Sequence, residues 1–204
     1  MIKNILFDFD GVVIDSMNVR DYGFKEIFNK FDNNLVDRLL DYHRQNGGLS
    51  RYVKIRYFYN DLLGQEISEQ EVKEYADKFS EVMKIELVKK DYLIQNTLEF
   101  IKNNSKKYNL HIVSGSDELE LVFLCKELEI SCYFKSIHGS PTSKEKLVRG
   151  VLQHNNYVES ETILIGDSIN DYDAAKANSI NFYGFNNIAL VGLSEQYLEN
   201  YKEL

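Results

Sequence analysis

Asp8 and Asp10 stand two residues apart in ILFDFDGVVID, residues 5–15, inside an otherwise apolar run. Alternate residues of a strand share a face. Two carboxylates placed this way repel each other and lose hydration, which raises a carboxyl pKa unless positive charge compensates. Gly11 suits a turn directly after them. Two readings are open at this point: both aspartates sit in a solvated turn after the strand, or the pair is held together for chemistry.

Comparable polar groups follow other apolar runs. Ser114, Gly115 and Ser116 follow LHIV, and Lys144 follows the GSPTS segment beyond a run at 133–138. Asp167 and Asp171 lie in DSIND, directly after TILIG. Each has an ordinary structural role available. Ser116 suits a helix N-cap, with Asp117 and Glu118 at the positive end of the helix dipole. Asp167 could cap the next helix, Asp171 could be a first-turn acid, and Lys144 an exposed helix lysine. Taken jointly they form a set. Clustered carboxylates call for a hard cation, and Mg²⁺ prefers oxygen ligands while keeping waters that a phosphate can replace. A carboxylate can attack phosphorus to give an aspartyl-phosphate. A second carboxyl group can protonate the leaving alcohol and then deprotonate water. A hydroxyl, backbone N–H groups and an ammonium would hold the phosphoryl oxygens, where positioning and charge stabilisation do most of the catalysis.

The elements that must position these groups alternate. Strands are expected at 2–9, 110–114, 133–138, 162–166 and 180–185, and helices at 95–107, 117–129, 143–155 and 171–178. The first, second and fourth strands are continuously apolar, as in a parallel sheet covered on both faces. Thr142 with Glu145 reads as a capping box. The fold class is therefore α/β, a Rossmann-like doubly wound parallel sheet. Ligands of such sheets bind beyond the carboxyl ends of the strands, where the polar set falls.

Residues 17–90 break the alternation and read as helices only. EVKEYADKFSEVMKIELV carries a helical stripe of Val72, Tyr75, Ala76, Phe79, Val82 and Met83, and Ser68 with Glu71 forms a capping box before it. Gly47-Gly48 and Gly64 stand where helices should stop, and the aromatic RYFYNDLL reads as helix core. An all-α-helical cap over 17–90 is thus expected, inserted into a core of 1–16 and 91–204. His43, Arg44, Arg51, Lys54 and Arg56 make a basic island in this insertion. Beside the Gly-Gly turn, Arg51 and His43 are candidates for substrate specificity toward an anionic group; the alternative is ordinary solvated helix charge.

Composition bounds the function. The 204 residues are 44% hydrophobic with a net charge of −8, which disfavours nucleic acid as a partner, since that binding neutralises phosphates with Lys and Arg. Two cysteines, Cys125 and Cys132, indicate no disulfide framework and read as reduced packing residues. The first residues lack the pattern of a signal peptide, and no uncharged apolar stretch approaches the about 18 residues of a membrane span. A cytoplasmic protein without a membrane partner, monomeric or homodimeric, is expected.

The motifs together resemble the haloacid dehalogenase-like hydrolase superfamily: Asp8-Phe9-Asp10-Gly11-Val12, apolar-Ser114-Gly115, Lys144, and Gly166-Asp167-Ser168-Ile169-Asn170-Asp171. They span nearly the whole chain. The resemblance implies Asp8 as nucleophile and Asp10 as general acid/base. It implies a Mg²⁺ site from the Asp8 carboxylate, the Asp10 backbone carbonyl and Asp167, with Asp171 direct or through water. Ser114, Gly115 and Lys144 would bind phosphate. Many relatives place proline after that lysine, whereas Glu145 follows here and Lys146 is also available; Lys144 is nearer the GSP turn. Relatives that are dehalogenases lack the second aspartate and phosphonatases replace it, so Asp10 favours phosphoryl transfer. The resemblance thus implies a phosphatase of phosphoglycolate or sugar phosphates, with a sugar-phosphate mutase of the beta-phosphoglucomutase type as alternative. A non-catalytic binding module would be expected to lack a nucleophile or metal ligand, and none is missing. Cap motion is expected about Asp15–Ser16 and residues 88–92.

Overall fold

A computed structural model describes residues 1–193 and 196–204. The first strand, β1 (Asn4–Phe7), ends one residue before Asp8. Four helices follow: α1 (Met17–Ile27), α2 (Asn33–Gln45), α3 (Arg51–Tyr57) and α4 (Glu69–Glu86). After α5 (Gln95–Asn104) the chain alternates through β2 (Asn109–Asp117), α6 (Glu118–Glu127), β3 (Ser136–Ser140), α7 (Lys144–Asn155), β4 (Thr162–Gly166), α8 (Ile169–Ala177), β5 (Asn181–Phe185) and β6 (Gln196–Leu198). Among the described residues the strands form one parallel sheet in the order β3-β2-β1-β4-β5-β6. The order reverses beside β1, so β1 and β4 end at the topological switch point.

Side-chain alternation explains why the central strands β1 and β4 are apolar beyond their first residue. Ile5, Phe7, Ile163 and Ile165 enter one core with Ile101, Leu121 and Leu124 of α5 and α6. Leu6, Val113 and Leu164 point the other way, against Val148 and Val151 of α7 and Ala174 and Ala175 of α8. Both faces are covered, and with no solvent face there is no polar alternation.

Residues 17–86 contain no strand, as expected. The cap helices close around Phe24, Phe28, Phe58 and Phe79, none more than 1% exposed. Phe28 meets Phe58 at 4.1 Å and Phe24 meets Phe79 at 4.6 Å between ring centroids. The expected stripe on α4 packs here, with Val72, Ala76, Phe79 and Met83 buried, and its Ser68–Glu71 capping box is formed. RYFYNDLL continues α3 into a π-helical turn, Phe58–Leu63, stopped by Gly64 at φ +66°. The two chain crossings into the cap are tied together: Asp15 N–H donates to Tyr92 O at 2.8 Å and Ile94 N–H to Val13 O at 3.0 Å.

Several sequence expectations are corrected. The third strand lies at Ser136–Ser140, because residues Ser131–Tyr133 coil into a 3₁₀ turn. The short edge strand β6 was not expected; three residues are too few to show a period. Asp117, not Ser116, caps α6 by accepting from Glu120 N–H, since the helix begins at Glu118. The Thr142–Glu145 box does not form. Ser143 is the N-cap of α7, which puts Lys146 rather than an acid at the third helical position. Cys125 is buried, but Cys132 is exposed and is not a packing residue.

Candidate active site

Asp8 opens the site because β1 ends under it. Its backbone N–H still pairs with Ile165 O of β4 at 2.9 Å, and its Oδ1 accepts from Phe9 N–H at 2.7 Å. Asp167 and Asp171, from the end of β4 and the start of α8, complete a group in which one carboxylate oxygen from each of the three lies within 4.8 Å of the others. Two glycines permit this approach. A Cβ on Gly11, at φ +77°, would lie 1.9 Å from Asp167 Oδ2, and one on Gly166 would lie 2.3 Å from Asp171 Cβ. Asp171 is fixed by Ser168, whose N–H and Oγ both donate to Oδ2 at 3.0 and 2.7 Å. Ser168, not Asp167, is therefore the helix cap, and Asp167 is left for the cluster.

Lys144 is the cation of this cluster. From the first turn of α7 its Nζ reaches Asp8 Oδ1 at 2.9 Å and also pairs with Asp171 Oδ1. Burial works against its charge, but Asp171 and Asp8 outweigh burial and raise its pKa. One ammonium does not neutralise three carboxylates. Burial, with Asp171 beside it, pushes Asp8 up to about 7 despite Lys144. Burial, with Asp8 and Asp171, raises Asp167 well above the ordinary range. An all-oxygen anionic cluster short of positive charge fits a hard divalent cation.

Asp10 lives in a different environment. Arg20 of α1 donates from Nε to Asp10 Oδ1 at 2.9 Å and from Nη2 to Oδ2 at 3.2 Å. Ser116 Oγ donates to Oδ2 at 2.6 Å, and Ser16 Oγ donates to Oδ1. Burial pushes this carboxyl up, yet Arg20 and the two hydroxyls outweigh burial and hold it down at about 2. The carboxylates of the opening motif are thus separated by their partners, Asp8 facing the acidic cluster and Asp10 facing the cap.

The cap supplies the roof. Asp8, Asp10, Asp167, Ser114, Gly115, Arg20, His43, Gly48, Arg51 and Lys54 all border one cavity of about 220 Å³. The Gly47-Gly48 turn sits directly over the strand ends. A Cβ on Gly115 would lie 2.4 Å from Gly48 O, and one on Gly48 would lie 2.6 Å from Ser168 Oγ. Glu120, 0% exposed on α6, ties roof to floor. It accepts from Arg20 Nη1 at 2.5 Å and from Arg51 Nη1 at 2.6 Å, and Arg51 also donates to Ser80 Oγ at 2.6 Å. The Arg51 guanidinium lies 4.6 Å from the Phe79 ring centroid, a cation–π distance.

The basic island accordingly divides. Arg51, His43 and Lys54 enter the cavity wall; Arg44 pairs with Asp21 at 2.7 Å and Arg56 with Glu69 at 2.6 Å, away from it. Sequence reading brought Asp8, Asp10, Ser114, Gly115, Lys144, Asp167 and Asp171 to one place, and the structure does the same. It missed Arg20, Glu120 and the second role of Ser116. A charged residue inside the apolar turn of an amphipathic helix, as Arg20 is between Val19 and Phe24, is the one signal that could have found the first.

Solved structures share this architecture. A beta-phosphoglucomutase from Clostridium difficile aligns over 100% of this chain and 93% of its own, with a TM-score of 0.80 and 16% identity. CbbY from Rhodobacter sphaeroides in complex with phosphate aligns over 100% and 96%, with a TM-score of 0.77 and 17% identity. A haloacid dehalogenase-like family hydrolase from Streptococcus pneumoniae aligns over 98% and 94%, with a TM-score of 0.72 and 19% identity. At these identities the likeness is one of fold. No curated protein matches the chain. The sequence pattern of the haloacid dehalogenase-like hydrolases matches residues 5–185, from β1 through β5, and the chain belongs to that family.

Proposed function

We propose that this protein is a Mg²⁺-dependent phosphatase of small phosphorylated metabolites, of the phosphoglycolate or sugar-phosphate class, working in the cytoplasm through an aspartyl-phosphate. The observation that carries this reading is the juxtaposition of Asp8 with Lys144 at 2.9 Å and with Asp167 and Asp171, with Asp8 and Asp167 bordering a cavity large enough for about seven waters at roughly 30 Å³ each. In the first step an Asp8 carboxylate oxygen forms a bond to phosphorus as the ester bond breaks, and the leaving oxygen takes a proton from Asp10. In the second, Asp10 takes a proton from water as its oxygen attacks phosphorus and Asp8 is released. Lys144, the Ser114 hydroxyl and the Gly115 N–H hold the phosphoryl oxygens throughout. Held by Asp8, Asp167 and Asp171, Mg²⁺ would offset charge on the nucleophile and phosphoryl group.

The Asp10–Arg20 pair sets the order of events. As held, Asp10 is ionised, the form that accepts a proton from water in the second step. To act as the acid it must part from Arg20. Once parted, burial raises its pKa, so the same movement that frees Asp10 favours its proton. A mutase would share the first step and differ in the acceptor, a sugar hydroxyl replacing water.

Release of inorganic phosphate from an aryl phosphate ester, with and without Mg²⁺, tests the reading. Mg²⁺-dependent turnover is expected, falling by at least about 10⁴-fold in Asp8→Asn, as when a covalent nucleophile is removed. Undiminished activity in Asp8→Asn rules out the covalent mechanism. Interconversion of sugar monophosphates without phosphate release would establish the mutase instead.

A further inference from the structure

Arg20, Arg51 and Lys54 border the cavity and Lys144 lies behind its wall against Asp8; three of these four cations already have acid partners. Lys144 has Asp8 and Asp171, Arg20 has Asp10 and Glu120, and Arg51 has Glu120. Lys54 does not. It borders the cavity at 3% exposure, and no carboxylate pairs with it among the described residues. Its Nζ donates to His43 Nδ1 at 2.8 Å and to Gly47 O at 3.2 Å. Both are neutral acceptors, and an ammonium has three N–H donors. A buried cation with no counter-charge is costly to the folded state.

We propose that Lys54 is the specificity-determining residue of the pocket and reads a carboxylate on the leaving portion of the substrate, so that phosphate esters of short hydroxy acids are preferred. This rests on the phosphatase reading above. The charge inventory selects the residue: a substrate anion meeting Arg51 or Arg20 has to compete with Glu120, whereas at Lys54 it supplies the missing counter-ion. The kind of donor selects the anion. A second phosphate group is best held by the bidentate fork of a free arginine, and both arginines are engaged. A single point charge in a 220 Å³ cavity suits one carboxylate on a short carbon chain.

His43 positions Lys54. Burial, with Lys54 and Arg20 nearby, holds its pKa down at about 2, so the ring is neutral. Accepting the lysine's hydrogen bond at Nδ1 puts the ring proton on Nε2. That atom is buried without a partner, 3.9 Å from the equally unpartnered Asp21 Oδ1. The imidazole is thus oriented toward Lys54 on one side and an acid on the other. Burial, with Arg20, Arg51 and Lys144 and against Asp10, also pushes Lys54 down to about 7, and an arriving carboxylate restores its charge.

The test compares kcat/KM for phosphoglycolate and for hydroxyethyl phosphate, the same chain with a hydroxymethyl group in place of the carboxylate, using the full chain with Mg²⁺. The wild type is expected to favour the acid by about tenfold or more. Lys54→Met should erase that preference through the KM of the acid, and Lys54→Arg should keep part of it. A wild-type preference below about twofold overturns the proposal whatever the variants do, so it does not depend on their folding. So does a preference that survives in folded Lys54→Met or Lys54→Gln. Aryl phosphate hydrolysis by the wild type separates the two failures. Turnover without acid preference removes only the role of Lys54, and absence of any turnover removes the phosphatase reading with it.

Discussion

The floor and the roof of the cavity are built from opposite charges by opposite means. The floor holds Asp8, Asp167 and Asp171 against one ammonium, Lys144. The roof holds Arg20, Arg51 and Lys54, with the core residue Glu120 rising between the two arginines. Asp8 and Asp167 sit on backbone that has just left a strand, and Lys144 and Asp171 in the first turns of α7 and α8, so their placement follows from the sheet and the helices that leave it. Roof residues depend on helix faces meeting the core: Arg20 and Arg51 find their acid partners on the core, and Lys54 finds none. The lesson is a division by origin: an anionic floor set by strand ends and the helices after them, and a cationic roof whose arginines pair with acids of the core.

Breaking the tie between the halves gives the largest expected effect on stability. Glu120→Gln leaves two buried guanidinium groups facing a neutral amide, although Arg20 retains Asp10. Removing one partner from a buried ionic network costs about 3–5 kcal/mol. A loss of about 3 kcal/mol is expected in urea unfolding, since the amide keeps some hydrogen bonding. A change below about 1 kcal/mol would show that roof and floor are not coupled through this residue.

The same contrast decides what was legible in the sequence. Asp8, Ser114, Asp167 and Asp171 could be read because each follows an apolar run, and a parallel sheet delivers all its strand ends to one edge. Lys144 could be placed because α7 begins directly after β3. The roof had no such rule. Arg51 and His43 could be suspected from a basic island beside Gly47-Gly48, but the same island held Arg44 and Arg56, which face away. Sorting them needs the rotation of α2 and α3 against the core, set by Phe24, Phe28, Phe58 and Phe79 packing rather than by local pattern. Ser116 misled and Glu120 was missed for a related reason. Both sit beside a helix start, where capping is the obvious local use, and Arg20 claims them from 96 and 100 residues away.

A smaller effect sharpens the difference through pH. His43 in the roof stays neutral down to about 2, whereas an unfolded histidine takes a proton near 6.5. Between these values the unfolded chain binds more protons, so the histidine's contribution is complete above about 6.5 and shrinks as pH falls. At pH 5 the loss is about 2 kcal/mol. The floor pulls the other way, because Asp8 and Asp167 protonate more readily folded than unfolded. The difference between wild type and His43→Asn cancels the floor. Measured in urea without Mg²⁺, that difference should narrow by about 2 kcal/mol from pH 7.5 to pH 5. A constant difference would mean that the ring is not held neutral in the roof.

The smallest effect lies where roof touches floor, and adjacent glycines serve as test and control. A Cβ at Gly48 would sit 2.6 Å from Ser168 Oγ and 2.8 Å from Asn170 Cβ, whereas one at Gly47 meets only Met17 Cε, at 3.9 Å. Both residues have backbone angles open to alanine, so the contrast is one of space alone. Overpacking of this kind costs about 1–3 kcal/mol, and here the flexible turn can yield. Gly48→Ala should therefore lower kcat/KM on an aryl phosphate by only about fivefold, the equivalent of about 1 kcal/mol, by holding the roof away from Ser168 and the head of α8. Gly47→Ala should stay within about twofold. Equal effects from the two would mean that turn flexibility, and not contact with the floor, is what the Gly-Gly pair provides.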